Sequence, residues 1–219
     1  NYNKGLTYFR QEQFAESIIE FTKAIEDDPA YFEAWKNMGI AHAKMEKNEW
    51  AAEAMRRAFE IKPRDVDTAV YLVKYLKRIG QGGKAVDIYR QAYEAGAKSP
   101  FIYKTLANDA SENKDYKQAA HFYALYAPFR PSGAIYYNMG LAYRRSDQFE
   151  AAMEAYKMAV KIQSDLHKAW LNLGYLYRYK GEEEVALEHF EKALEIEPGY
   201  DNAIAAIEES ATLEYSSSN

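Results

Sequence analysis

The chain has 219 residues, 48% of them hydrophobic and 15% aromatic, and its formal net charge is −5. It contains no cysteine, which excludes disulfide bonds and thiolate chemistry. It also lacks a signal-like segment and any apolar run of the ~18 residues that predict a membrane span, so the compartment stays open, with the cytoplasm favoured over the periplasm.

A small residue recurs along the whole chain at nearly constant spacing. Successive members lie 34, 34, 34, 33 and 34 residues apart. They are Ser17, Ala51, Ala85, Ala119, Ala152 and Ala186. Such a period indicates one supersecondary unit that is copied and stacked. We therefore predict a single array over residues 1–213, with copies at approximately 1–31, 32–65, 66–99, 100–132, 133–166 and 167–200.

Each copy carries two amphipathic stripes. We number positions within a copy so that the recurring small residue is register 20. Registers 4, 7, 8 and 11 are mostly apolar or small and have helical spacing, and registers 20, 24, 27 and 28 repeat that spacing. Polar or glycine-containing segments such as 46–48, 80–83 and 180–182 separate the stripes, as a turn requires. Each copy is therefore predicted to be a helix hairpin.

The third and fourth copies depart from this pattern. Val73 and Ala107 replace the glycine found at register 8 in other copies, and Pro128 is predicted to end the fourth copy's second helix early. The 33-residue step also follows the fourth copy. These departures indicate either a bend in the array or loop drift without consequence.

The two ends of the chain have their own features. Residues 201–213 are predicted to form a capping helix, because terminal repeats need a polar outer face, and residues 214–219 are predicted to be disordered. The chain begins at register 4 of its first copy without a starting methionine. We therefore expect that upstream sequence has been removed.

The repeated pattern resembles that of the tetratricopeptide repeat family. In the second copy it consists of Trp35, Gly39, Ala51, Phe59 and Pro63, and the sixth copy repeats most of it from Trp170 to Pro198. The resemblance implies an all-α fold, a right-handed superhelical solenoid of antiparallel helix hairpins. It also implies that the first helix of each hairpin lines a concave groove that binds peptides or partner proteins.

No catalytic, metal-binding or cofactor-binding residue is predicted. The four histidines, His42, His121, His167 and His189, lie in different copies and at different registers. Residues 80–84 briefly resemble a phosphate-binding loop, but they follow a helix and lack the required Ser or Thr after the lysine. We interpret them as a hairpin turn.

The family resemblance assigns registers 2, 5, 6, 9, 12 and 13 of the first helix to the groove. Eleven basic residues occupy these registers: Arg10, Lys36, Lys44, Lys74, Lys77, Arg78, Lys104, Arg144, Arg145, Lys168 and Arg178. Acidic residues are far fewer at these registers and include Asp67 and Glu112. A basic concavity in an acidic chain favours an anionic partner, although a solvated basic helix edge would have the same composition.

Two known binding modes resemble subsets of these residues. Lys104, Asn108, Asn138 and Lys168 match the carboxylate clamp of chaperone-binding members, but Asn172 stands where that clamp has arginine, for which Arg144 or Arg178 could substitute. Asparagines at register 6, including Asn37, resemble a ladder that holds an extended peptide backbone. The predicted peptide-binding residues are Asn37, Lys74, Lys104, Asn108, Asn138, Arg144, Lys168, Asn172 and Arg178.

The sequence therefore predicts a non-catalytic protein-interaction scaffold. Its partner would be an extended peptide segment that is acidic or ends in a free carboxylate. The alternative is a substrate-recruiting repeat region of a larger enzyme, such as a glycosyltransferase or phosphatase. Nucleic acid is not an expected partner, because the chain outside the groove registers is strongly acidic, and self-association stays open.

Overall fold

The structure is a computed structural model that describes the backbone of residues 1–217 and the side chains up to residue 210. Residues 1–217 contain α-helices and turns but no strand. The helices are α1 (Tyr2–Arg10), α2 (Phe14–Asp27), α3 (Phe32–Lys44), α4 (Asn48–Ile61), α5 (Val66–Arg78), α6 (Ala85–Glu94), α7 (Pro100–Glu112), α8 (Tyr116–Tyr126), α9 (Gly133–Arg145), α10 (Phe149–Ile162), α11 (His167–Tyr179), α12 (Glu183–Ile196) and α13 (Asp201–Ser217).

The all-α class and the helix-hairpin unit are confirmed, since each of the six copies contains two helices. Pro128 has the expected effect. Helix α8 is 11 residues long, whereas α4, α10 and α12 have 14 each, and a 3₁₀ turn at Ala127–Phe129 follows α8 directly. Within residues 1–217, no helix combines the length and apolarity that crossing a membrane requires.

The last helix is longer than the sequence predicts. Helix α13 continues to Ser217, four residues past the expected end at residue 213. The prediction of a disordered tail is therefore wrong for residues 214–217, because the backbone there stays helical. Residues 218 and 219 of the predicted tail lie outside the described part of the chain.

The chain forms two compact units, Asn1–Leu106 and Ala107–Asn219, and their boundary falls inside α7. In the first unit the largest fully buried side chains include Phe21, Met55 and Leu72. In the second unit they include Tyr156 and Phe190. Each unit therefore has its own core, and the bend suggested by the fourth copy stays a prediction.

The recurring small residue at register 20 is buried in every copy, with at most 8% of its surface exposed. Register 8 faces a large side chain at register 24 of the same hairpin. A β-carbon on Gly140 would lie 2.6 Å from the ring of Tyr156, and one on Gly174 would overlap the ring of Phe190. The glycines thus let the two helices approach until an aromatic ring packs on the bare backbone.

Replacing Gly174 with alanine should destabilise the fold by about 1–3 kcal/mol, the usual cost of overpacking a core. Urea unfolding followed by circular dichroism measures the change. Gly83→Ala is the matched control, because nothing lies within 4 Å of a β-carbon added there. Equal stability of the two variants would contradict the close packing at register 8.

The hairpin turn uses one backbone geometry throughout. Register 15 has a positive φ in all six copies: Glu12 at 60°, Glu46 at 59°, Gly80 at 76°, Lys114 at 62°, Asp147 at 59° and Gly181 at 79°. Only glycine adopts this left-handed conformation without a steric cost. Four of the six turns are therefore strained.

A reciprocal exchange tests this strain. Glu46→Gly should stabilise the protein by about 1 kcal/mol, and Gly181→Glu should destabilise it by a similar amount, because the side chain costs roughly that much in this conformation. Both sites are exposed, so packing changes little. Thermal unfolding of the two variants should shift in opposite directions, and shifts in the same direction would refute the explanation.

Candidate functional site

In the first unit, the chain's own side chains already bind two residues of the predicted groove face. The amide nitrogen of Asn37 donates a hydrogen bond of 2.8 Å to the hydroxyl of Tyr2. The ammonium of Lys36 lies 2.9 Å from Asp65, whose carboxylate also accepts from the backbone N–H of Thr68 and caps α5. Lys36 therefore stabilises the start of the next hairpin.

Lys74 and Lys104 are exposed and make no ion pair with the described side chains. The ammonium of Lys74 lies 6.0 and 5.7 Å from the ring centres of Tyr71 and Tyr75, within cation–π range. Both lysines therefore remain available to an external anion.

In the second unit, a cavity of about 210 Å³ opens between the C-terminal part of α7 and helices α8 and α9. We call it the polar cavity. It is lined by Ser111, Tyr116, Tyr123, Asn138, Leu141, Ala142 and Arg145. The side chains around it combine amide, hydroxyl and guanidinium groups, which can donate to or accept from a peptide backbone.

Asn108 stands beside this cavity. The hydroxyl of Tyr123 donates a hydrogen bond of 3.1 Å to Oδ1 of Asn108. The amide N–H groups of Asn108 have no partner among the described residues. Asn108 therefore holds the register-24 tyrosine in place and keeps its donors for a ligand.

Asn138 lines the cavity from α9, and its side chain is exposed and makes no hydrogen bond within the described chain. Arg145, two turns later on the same helix, donates to the hydroxyl of Tyr116 and lies 5.0 Å from the centre of its ring. This contact fixes the guanidinium at the cavity wall. The amide and the positioned cation thus face the same space.

Arg144 is partly buried against the aromatic core. Its Nε and the hydroxyl of Tyr156 are both buried and lack a hydrogen-bond partner among the described residues. Burial raises the pKa of the Tyr156 hydroxyl far above its usual value, and the nearby Arg144 charge opposes only part of that rise. Arg144 is thus a cation without a carboxylate partner.

The two remaining positions on the early part of α11 behave differently from each other. Lys168 is exposed and forms no ion pair with the described side chains. Asn172 is only 8% exposed, and its amide donates a hydrogen bond of 2.7 Å to the backbone oxygen of Lys168. Asn172 thus packs within the unit instead of facing solvent. Of these two side chains, Lys168 alone is accessible to a ligand.

Arg178 binds the last helix of its own chain. Its guanidinium lies 3.1 Å from Glu183 and 2.9 Å from Glu209, and it donates to Oγ of Ser210 and the backbone oxygen of Ala206 at 2.6 Å each. Ser210 donates in turn to Glu183 at 2.6 Å. This network ties α13 to α11 and α12, so we leave Arg178 out of the proposed binding surface.

Sequence reasoning missed Ser111, Tyr116 and Tyr123 as cavity residues. One signal was present: register 12 is Lys77, Arg144 and Arg178 in the third, fifth and sixth copies, whereas the fourth copy has the small Ser111. A short side chain there leaves room for a cavity. Across the described residues, no group of three or more His, Asp or Glu side chains could hold a metal ion.

Comparison with known proteins agrees with this architecture. A model described as tetratricopeptide repeat matches residues 133–166 and 167–200, and a second model of the same description matches residues 2–66. The chain belongs to the tetratricopeptide repeat family. Members of this family are mostly protein-interaction scaffolds.

Similar tetratricopeptide repeat proteins have low sequence identity to this one. The human PEX5-related protein is 23% identical over 187 residues, which cover 77% of this chain and 29% of that protein. The chain therefore spans less than a third of that relative's length.

Two solved structures share the fold. YrrB, described as a protein with an unusual peptide-binding site, is 20% identical with a TM-score of 0.58 and covers 85% of this chain and 96% of its own. A MamA structure is 21% identical with a TM-score of 0.55, over 78% and 94% of the two chains.

The Arg178 network gives a testable prediction. Arg178→Met should weaken the attachment of α13 by about 1.5–3 kcal/mol, because it removes charge-assisted hydrogen bonds from a mostly buried guanidinium. Hydrogen exchange of the backbone amides of residues 203–210 should become faster. Lys168→Met is the control, since Lys168 is exposed and unpaired. Unchanged exchange in the Arg178 variant would show that apolar packing alone holds the helix.

Proposed function

We propose that this tetratricopeptide repeat protein is a non-catalytic scaffold that binds an extended, acidic peptide segment of a partner protein. The observation that carries the proposal is the surface made by α9, α11 and the polar cavity in the second unit. It presents the amide of Asn138 with no partner in the described chain, and it presents Arg144, Arg145 and Lys168 without an acidic partner there.

The chemistry of this surface supports an extended peptide. A side-chain amide can donate to one backbone carbonyl and accept from one backbone N–H, so it holds the main chain with little demand on sequence. The nearby cations would then select acidic side chains or a terminal carboxylate. The unusual peptide-binding site named for YrrB supports the same general role.

The first test concerns the backbone contact. The partner is first captured from cell extract on the wild-type protein, and synthetic peptides that tile it are titrated by fluorescence anisotropy. Asn138→Ala should weaken the bound peptide by about 1 kcal/mol, roughly fivefold, the value of one hydrogen bond. Asn113→Ala is the control, because this exposed asparagine lies outside the polar cavity and bonds only to Asp109. Equal loss in both variants would refute the site.

The second test concerns charge. Lys168→Glu should reduce affinity more at 50 mM than at 500 mM salt, because screening weakens exposed charge pairs. Lys180→Glu, an equal charge change at a hairpin turn, should have a smaller effect.

Amidating the C-terminus of the peptide should cost about 1.5–3 kcal/mol if a terminal carboxylate is bound. An unchanged affinity after amidation would leave acidic side chains as the recognised groups.

A further inference from the structure

The first unit has a second concave surface that contains none of the predicted peptide-binding residues. It is a pocket of about 620 Å³ between α2, α3 and α4, which we call the outer pocket. It is lined by Ile18, Thr22, Trp35, Met38, His42, Lys47, Trp50, Glu53, Ala54 and Arg57. Its volume is in the range of pockets that bury a ligand.

In the sixth copy, aromatic side chains occupy the equivalent position. There, register 11 is Tyr177 and register 23 is His189, whose ring centre lies 4.8 Å from that of Tyr177 and 5.5 Å from that of Trp170. In the second copy these registers carry the smaller His42 and Ala54. The outer pocket therefore lies where two side chains are smaller than their counterparts in the sixth copy.

Large apolar side chains lie exposed around this opening. Trp50 is 64% exposed at register 19, where the sixth copy has Val185. A second cavity of about 390 Å³ shares Trp35 and Arg57 with the outer pocket and extends it to Ile61, which is 37% exposed. Two adjoining apolar cavities on one surface are typical of a protein-interaction site.

The charges at the rim favour an acidic occupant. Arg57 lies 3.2 Å from both Glu53 and Glu60. Glu53 also lies 3.5 Å from Arg56, so these charges pair with one another. Lys47 makes no ion pair with any described side chain, so its ammonium is available to an acidic group. Inside the pocket wall, Nδ1 of His42 is buried and has no hydrogen-bond partner among the described residues.

We propose that the outer pocket is a second docking site, which binds an amphipathic helix of a partner protein. Apolar side chains one turn apart on that helix occupy the two adjoining cavities and pack against Trp35 and Trp50. An acidic residue beside them pairs with Lys47. The site has the form of helix-in-groove recognition, with α3 as the floor and α2 and α4 as the walls.

The test uses a variant that fills the pocket with the chain's own residues. Ala54→His combined with His42→Tyr reproduces registers 23 and 11 of the sixth copy. A displayed library of 16-residue helical peptides is selected on the wild-type protein and depleted on this variant. Enriched peptides are then synthesised and titrated by tryptophan fluorescence in a Trp170→Phe background, which leaves Trp35 and Trp50 as reporters.

The proposal predicts peptides with apolar residues at i and i+3 or i+4 next to Asp or Glu. Their affinity should fall at least tenfold in the filled variant and in Trp50→Ala, a truncation of an exposed side chain that leaves the core intact. Asn138→Ala, at the other site, should leave it unchanged.

Three results would overturn it. One is the absence of any peptide that distinguishes wild type from the filled variant. The second is enrichment of basic or proline-rich extended sequences. The third is a concentration-dependent dimer in sedimentation equilibrium that the filled variant abolishes, which would assign the pocket to a second copy of this chain.

Discussion

The close approach of the two helices within each hairpin is the constraint on which the rest of the structure depends. It needs a small residue at register 20 and, in most copies, a glycine at register 8, with a large side chain at register 24 packed on that glycine. Where an alanine replaces the glycine, as at Ala107, the opposing Tyr123 sends its hydroxyl to Asn108. The packing of this hairpin thus helps to position Tyr123 and Asn108, which border the polar cavity.

Much of the fold follows from the sequence because hairpin packing is local and repeats. The spacing of apolar and small residues within one copy is enough to predict a helix pair. Six imperfect copies of that spacing together predict it reliably. Backbone conformation at the turns is less visible: Gly80 and Gly181 suggest a left-handed residue, whereas Glu12 and Glu46 give no such hint. The end of α13 was also missed, because a polar, serine-rich sequence is typical of disorder.

The candidate site was less predictable from the sequence. A register indicates which face of the helix a side chain occupies, but it does not indicate which other side chains that residue contacts. Lys36 and Arg178 occupy groove registers just as Lys104 and Lys168 do. Yet Asp65 binds the first, and Glu183, Glu209 and Ser210 bind the second. Those contacts depend on how neighbouring hairpins dock, which no single copy encodes. A count of basic residues therefore overstates the charge that the surface offers to a ligand.

The positions where the chain breaks its own pattern are the most informative about recognition. A residue that fits the period is explained by packing, since every copy must satisfy the same geometry. Ser111, which lines the polar cavity, stands where the third, fifth and sixth copies have Lys or Arg. His42 and Ala54, which line the outer pocket, stand where the sixth copy has Tyr and His. A smaller side chain in a packed position gives up contacts, at a cost in stability. A binding partner that refills the space would recover those contacts, so the repeat supplies the scaffold and its exceptions supply the specificity.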